Sequence, residues 1–188
     1  KTKAVGSEQD VLYDHNYTEP KFSHITRDKT INMAWHQVTN QTANGNVADV
    51  LGRTKGVNVI SPTWFYLNDN SGNIASLCSS DYVWGLVSNL ENSDVDSTSV
   101  LNLTSSRDNL VNNLVAEAIK YDLDGINVDF ESLSAEAADG YLEFIRELSI
   151  KCENNDIVLS VDNYVPASYN SFYDCGEQAV FADYIVIM

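Results

Sequence analysis

The sequence predicts an α/β chain whose parallel strands and helices close toward a barrel, and three observations carry that prediction. Short apolar runs with strand-like alternation recur along the chain, and from residue 105 they are separated by segments of helical period. Strand–helix–strand order implies right-handed crossovers and hence a parallel sheet. With 44% hydrophobic and 20% charged residues, the 188-residue chain can bury a core of one domain.

The elements follow in order. Residues 1–28 are polar without a sustained period and read as an N-terminal arm or linker; residues 29–188 read as the folded unit. Residues 30–38 alternate as a first strand, with a small-residue stretch behind them through Leu51. Residues 57–66 form a second strand, which Pro62 is expected to end or bulge near Ser61. Asn68, Asp69, Asn70, Ser71, Gly72 and Asn73 form a turn, and residues 83–89 a third strand. Leu110, Val111, Leu114, Val115, Ala118 and Ile119 share one helical face, with Ser105 and Asp108 spaced as a capping box. Residues 123–131 are a fourth strand. Tyr141, Phe144, Ile145 and Leu148 mark the buried face of a second helix, with Ser134 as its cap. Residues 157–165 are a fifth strand, and residues 183–188 open a sixth.

The choice lies between an open doubly wound sheet and a closed barrel. The open sheet calls for a Gly-rich first turn, and Val38-Thr39-Asn40-Gln41 is not one. The prediction is therefore a (β/α)8 TIM barrel, truncated after its sixth strand, since a full barrel takes ~250 residues.

Composition narrows function. Asp and Glu number 27 against 11 Lys and Arg, for a formal charge of -16. Such a surface repels phosphate backbones and anionic headgroups, so neither nucleic acid nor membrane is expected as a partner. No apolar run near the start resembles a signal peptide, and the chain begins at Lys1, as a processed or cut form would. Cys78, Cys152 and Cys175 lack metal-site spacing, as do His15, His24 and His36, and no metal or other cofactor is expected.

The informative segment is Asp124-Gly125-Ile126-Asn127-Val128-Asp129-Phe130-Glu131. Alternation sends Ile126, Val128 and Phe130 to the helix side and Asn127, Asp129 and Glu131 into the barrel. Glu131 then stands at the C-terminal mouth, where such barrels keep their active sites. Inward carboxylates with no Lys or Arg in the segment carry a desolvation and repulsion cost. Solvated rim charges and a Ca²⁺ or Mg²⁺ site are weaker explanations than acid chemistry, because further hard ligands are not visible nearby. Repulsion raises the pKa of one carboxyl, as a proton donor at neutral pH requires. Two strand rises put Asp129 and Glu131 ~7 Å apart on one wall, so they do not flank a glycosidic bond from opposite faces. Either the substrate or another strand supplies the nucleophile, and Asp162 on the fifth strand is the candidate for the latter.

The segment 124–131 resembles the DxxDxDxE signature of family 18 glycoside hydrolases, the chitinase family. Trp35-His36-Gln37, Pro62-Thr63-Trp64 and Leu159-Ser160-Val161-Asp162 are similar to its bacterial branch of spore-cortex-lytic and peptidoglycan N-acetylglucosaminidases. The resemblance implies an enzyme acting on an N-acetylated polysaccharide, peptidoglycan or chitin-like, and secreted or associated with the bacterial cell wall or spore. It implies that Glu131 is the general acid and that Asp129 orients the 2-acetamido group whose oxygen attacks the anomeric carbon. Asp124 and Asn127 take supporting positions, Asn127 where many members carry a second Asp. Trp64, Asn89, Asp162 and Tyr164 are the candidate substrate-binding residues. Trp35 is a weaker candidate for sugar stacking, and His36 reads as structural. A non-catalytic glycan-binding or structural wall protein on a degenerate barrel is the alternative. Six strands do not close an eight-stranded barrel. The chain alone is therefore expected to show little activity and to self-associate through its open edges.

Overall fold

The computed structural model describes residues 24–78 and 83–188. Among the described residues the strands are β1 (Met33–His36), β2 (Val59–Leu67), β3 (Ile74–Ser76), β4 (Trp84–Ser88), β5 (Gly125–Asp129), β6 (Val158–Asn163) and β7 (Tyr184–Ile187). The helices are α1 (Gln41–Gly45), α2 (Val47–Arg53), α3 (Ser97–Asn102), α4 (Thr104–Lys120), α5 (Ala138–Glu153) and α6 (Cys175–Phe181). The six predicted strands are β1, β2, β4, β5, β6 and β7, hydrogen-bonded in that order and all parallel. Together they form an incomplete barrel. The N-terminal segment 1–23 lies outside the described residues, and residues 24–28 of the predicted arm lie against the sheet: Ile25 N–H donates to Asp183 and Arg27 N–H to the Tyr184 hydroxyl.

Periodicity located the two long helices. Leu110, Val111, Leu114, Val115 and Ala118 of α4 are buried, as are Tyr141, Phe144, Ile145 and Leu148 of α5. Ile119 departs from the predicted face and is 56% exposed at the last turn. The predicted caps also move. α4 starts one residue before Ser105, directly behind α3, with Leu103 at its cap and no side-chain cap bond. Ser134 caps only a 3₁₀ turn, Ala135–Ala137, that leads into α5. Packing of α5 on α3 fixes these ends: a Cβ on Gly140 would lie 2.6 Å from the Leu101 carbonyl oxygen. Arg107 joins the three helices, donating to Leu101 O at 2.7 Å and pairing with Glu147 at 3.3 Å.

Pro62 does not end β2. It is the last residue of β2 paired with β1, opposite His36, and the register slips one step later between Thr63 and Phe65. A proline is tolerated where the ladder on one side stops and a bulge begins. β3, absent from the sequence reading, folds back antiparallel on β2 after the predicted turn. The small-residue stretch before Leu51 forms α1 and α2, with Asn40 capping α1 through a 2.9 Å bond from Ala43 N–H.

The concave face is layered. At its base Val59, Trp84 and Val158 are buried with Ile25, Ile31, Met33 and Tyr184 against them. Gly125 belongs to this layer because a Cβ there would meet both Trp84 Cδ1 and Val158 O at 2.8 Å. Above it Ser61, Asn127 and Ser160 are fully buried, a polar layer on an apolar floor. Along β5, Ile126, Val128 and Phe130 face the helices, where Phe130 stacks on Tyr141 and Phe144.

Candidate active site

Alternation along β5 places Asn127, Asp129 and then Glu131 on the concave face, rising toward the C-terminal mouth. β6 runs beside it in parallel register, Asn127 opposite Ser160 and Val128 opposite Val161. One step further, the same register brings Asp129 beside Asp162.

Glu131 is fixed by contacts from three directions. Asn89, just past β4, accepts the Glu131 N–H through Oδ1 at 2.8 Å and donates to the Glu131 carbonyl at 3.0 Å. Its Nδ2 also donates to Ser97 Oγ at 3.0 Å. With its amide thus engaged, Asn89 is a positioning residue for the Glu131 backbone rather than the sugar-binding group expected from sequence. Tyr164 OH donates to Glu131 Oε2 at 2.8 Å and accepts the Ser132 N–H at 3.2 Å. Ser132 has φ of 55°, a left-handed conformation that side-chain-bearing residues rarely adopt and that turns the chain sharply after Glu131. Tyr173, which the sequence reading missed, holds this turn: its hydroxyl accepts from Leu133 N–H at 3.0 Å and donates to Phe130 O at 3.3 Å. Its ring meets Tyr164 edge-on at 5.8 Å. Nothing periodic marks Tyr173; the aromatic run from Tyr169 was its only signal.

Beneath Glu131 the carboxylates crowd. Burial, followed by the charges of Asp162, Glu131 and Glu91, pushes Asp129 up to about 7. Burial likewise pushes Asp162 up to about 6, although hydrogen bonds from Asn127 and Trp35 pull it down. Asn127 Nδ2 donates to Asp162 Oδ2 at 2.7 Å, and Ser160 Oγ donates to Asn127 Oδ1. Trp35, on β1 at the other side of the sheet, reaches across the concave face to donate to the same Asp162 oxygen at 2.9 Å. Beside Glu131 a cavity of about 300 Å³ is lined by Ser132, Leu133, Tyr164, Tyr169, Asn170, Phe172 and Tyr173.

Two predicted residues stand elsewhere. Trp64 is fully buried on the helix side with Nε1 donating to Asn44 Oδ1 at 2.7 Å, so it offers no face to a sugar. Asp124, at the opposite end of β5 from Glu131, pairs with Arg27 at 3.4 Å. Asp129, Glu131, Asn127, Asp162 and Tyr164 are brought together. Among the described residues, no group of three or more His, Cys, Asp or Glu is placed to hold a metal ion, and no helix is long and apolar enough to cross a membrane.

A parallel barrel sheet with acidic groups at successive inward positions of one strand, ending at the mouth, places those groups where barrels of this kind keep their active sites. The family model for glycosyl hydrolases family 18 matches residues 89–188, more than half the chain, and the chain belongs to that family. Solved structures agree in fold. The Bacillus megaterium spore cortex-lytic enzyme is 18% identical, with a TM-score of 0.65 over 83% of this chain and 41% of that one. The Bacillus cereus spore cortex-lytic enzyme is 19% identical, with a TM-score of 0.64 over 83% of this chain and 40% of that one. A Chromobacterium violaceum chitinase is 19% identical, with a TM-score of 0.69 over 85% of this chain and 56% of that one. The chain thus spans roughly half the length of these structures. A search of curated proteins returns no match.

Proposed function

We propose that this chain belongs to an enzyme that hydrolyses N-acetylglucosamine-containing polymer, peptidoglycan or chitin-like, by substrate-assisted retention. The observation that carries the reading is the placement of the carboxylates. Asp129, Glu131 and Asp162 stand on adjoining strands of one wall, and Asp162 is engaged by Trp35 and Asn127 rather than free to attack. A two-carboxylate mechanism needs groups on opposite sides of the bond. In this reading Glu131, nearest the mouth, protonates the leaving oxygen. Asp129 beneath it holds the 2-acetamido group so that the substrate's own carbonyl oxygen attacks the anomeric carbon. Tyr164 positions Glu131, and Asn127 and Asp162 complete the polar floor.

The spore cortex-lytic relatives favour a wall polymer as substrate and a secreted, wall-associated or spore-associated protein. Among the described residues, β1 and β7 each have a single neighbour in the parallel sheet. We propose that further strands or a second copy cover those edges, and that full activity requires that second wall. Residues 29–188 are proposed as the barrel unit.

The test is Glu131→Gln in a protein carrying this chain within a closed barrel. Hydrolysis of N-acetylglucosamine glycosides should fall ~10²–10⁴-fold while binding persists. Glucosides lacking the acetamide should be very poor substrates, and a thiazoline mimic of the cyclic intermediate should inhibit. Covalent trapping of Asp162 by a fluorosugar would replace this mechanism with an enzyme nucleophile. A variant retaining parental turnover would remove Glu131 from the mechanism, and a closed-barrel parent with no turnover would favour a non-catalytic glycan-binding protein.

A further inference from the structure

We infer that Asp129 and Asp162 share one proton, and that the Trp35 indole is the positioning residue that keeps it on Asp129. The inference deepens the proposed function, on which it rests for the role of Asp129 toward substrate. The register of β5 and β6, carried one residue past Val128 opposite Val161, places Asp129 next to Asp162 on the concave face. Each keeps one buried oxygen, Oδ1, with no hydrogen-bond partner among the described residues. The other acidic groups acting on the pair are Glu131 and Glu91. The phenols of Tyr141 and Tyr173 are neighbours whose own ionisation is opposed first by burial and then by the surrounding phenols and carboxylates. Two buried like charges on adjoining strands do not both ionise when no cation faces them; one proton stays with the pair.

The donors decide where it stays. Trp35 Nε1 and Asn127 Nδ2 both end on Asp162 Oδ2, at 2.9 and 2.7 Å. Indole and amide N–H groups only donate here, so they favour the ionised carboxylate. Asp129 has no comparable donor and retains the proton. The Asn at 127, which cannot itself take up a proton, thereby acts through the neighbouring strand: it orients Asp162, which can. As positive charge develops on the substrate acetamide, the proton can pass from Asp129 to Asp162. That transfer leaves Asp129 ionised against the developing cation without changing the total charge of the pair. Trp35, the weak candidate for sugar stacking, acquires an electrostatic role instead.

The experiment follows the ¹³Cγ resonances of Asp129 and Asp162 in the aspartate-labelled 188-residue chain from pH 3 to pH 9. The expected result is two coupled steps about one pH unit or more apart, the upper one read at Asp129. Asp162→Asn should lower the Asp129 midpoint by about one pH unit or more. Trp35→Phe should raise the Asp162 midpoint and lower that of Asp129, narrowing the gap. Replacing Trp35 with benzothienylalanine, which keeps the bicyclic shape without the N–H, should do the same if the Phe variant fails to fold. Independent single steps, with Asp129 unmoved by Asp162→Asn, would overturn proton sharing. Unmoved midpoints in the position-35 variants would overturn the role of Trp35. These readouts require no turnover. A coupled pair in an enzyme indifferent to the acetamide would remove the proposed function and leave the pair standing; an uncoupled pair in an acetamide-dependent enzyme would do the reverse.

Discussion

Asn89 grips the Glu131 backbone at both ends, accepting its N–H at 2.8 Å and donating to its carbonyl at 3.0 Å. The side chain of one strand end thus sets the height and direction of the carboxylate on the next. The positional precision of Glu131 resides largely in this amide and in Tyr164, because Ser132 behind it already sits in a strained conformation.

Asn89→Ala should therefore affect both stability and turnover. It leaves the half-buried Glu131 peptide and Ser97 without their partner, at a cost of about 1–3 kcal/mol. Misplacement of Glu131 should slow hydrolysis about 10-fold or more. Urea denaturation and steady-state kinetics measure the two effects; unchanged turnover would deny Asn89 its positioning role.

Tyr164→Phe should separate position from packing. The ring keeps its edge-on contact with Tyr173, while Glu131 and Ser132 lose their bonds to the hydroxyl. Stability should fall by only about 0.5–1.5 kcal/mol, and kcat should fall more than KM rises. A larger change in KM would instead assign the hydroxyl to substrate binding.

Asp129 makes folding stability depend on pH. Its folded pKa, raised to about 7 chiefly by burial, exceeds the unfolded value near 4. The folded state therefore binds the extra proton, so this contribution is fully present below pH 4 and is lost as pH rises through 7. The size is about 1–3 kcal/mol after allowance for partial exposure. Asp129→Asn should match the parent near pH 4 and exceed its stability at pH 8. Equal stability of the two at both pH values would contradict the assignment.

Arg107→Leu should destabilise the helical layer by about 2–4 kcal/mol, because it orphans Glu147 and the Leu101 carbonyl together. Arg107→Leu with Glu147→Leu should cost less than the single change, since no unpaired charge remains. Thermal unfolding of both variants measures the difference.

The barrel sheet and the inward order of Asn127, Asp129 and Glu131 were legible because each depends on local period. Trp64 was chosen as an aromatic at a strand end, whereas alternation along β2, with Val59 and Ser61 inward, sends it to the helix side, where it packs toward Asn44. Asp124 matches the family pattern in sequence but lies a full strand length from the mouth. Asn89 was correctly placed at a strand end, yet its partner is a backbone group 42 positions away. No side-chain pattern encodes a backbone partner at that separation. The engagement of Asp162 by Trp35 was equally hidden, because it depends on curvature accumulated over the intervening strands.

That contact also orders assembly in time. Trp35 and Asp162 are 127 positions apart, and among the described residues β1 has only β2 as its sheet neighbour. Neighbouring strands can pair early, but the indole finds its acceptor only after β6 has joined the sheet and the sheet has curved. Long loop closures of this kind are entropically costly and form late. The electrostatics of the site are therefore completed after the scaffold. Loss of the indole N–H should shorten the lifetime of the finished fold more than it delays its formation.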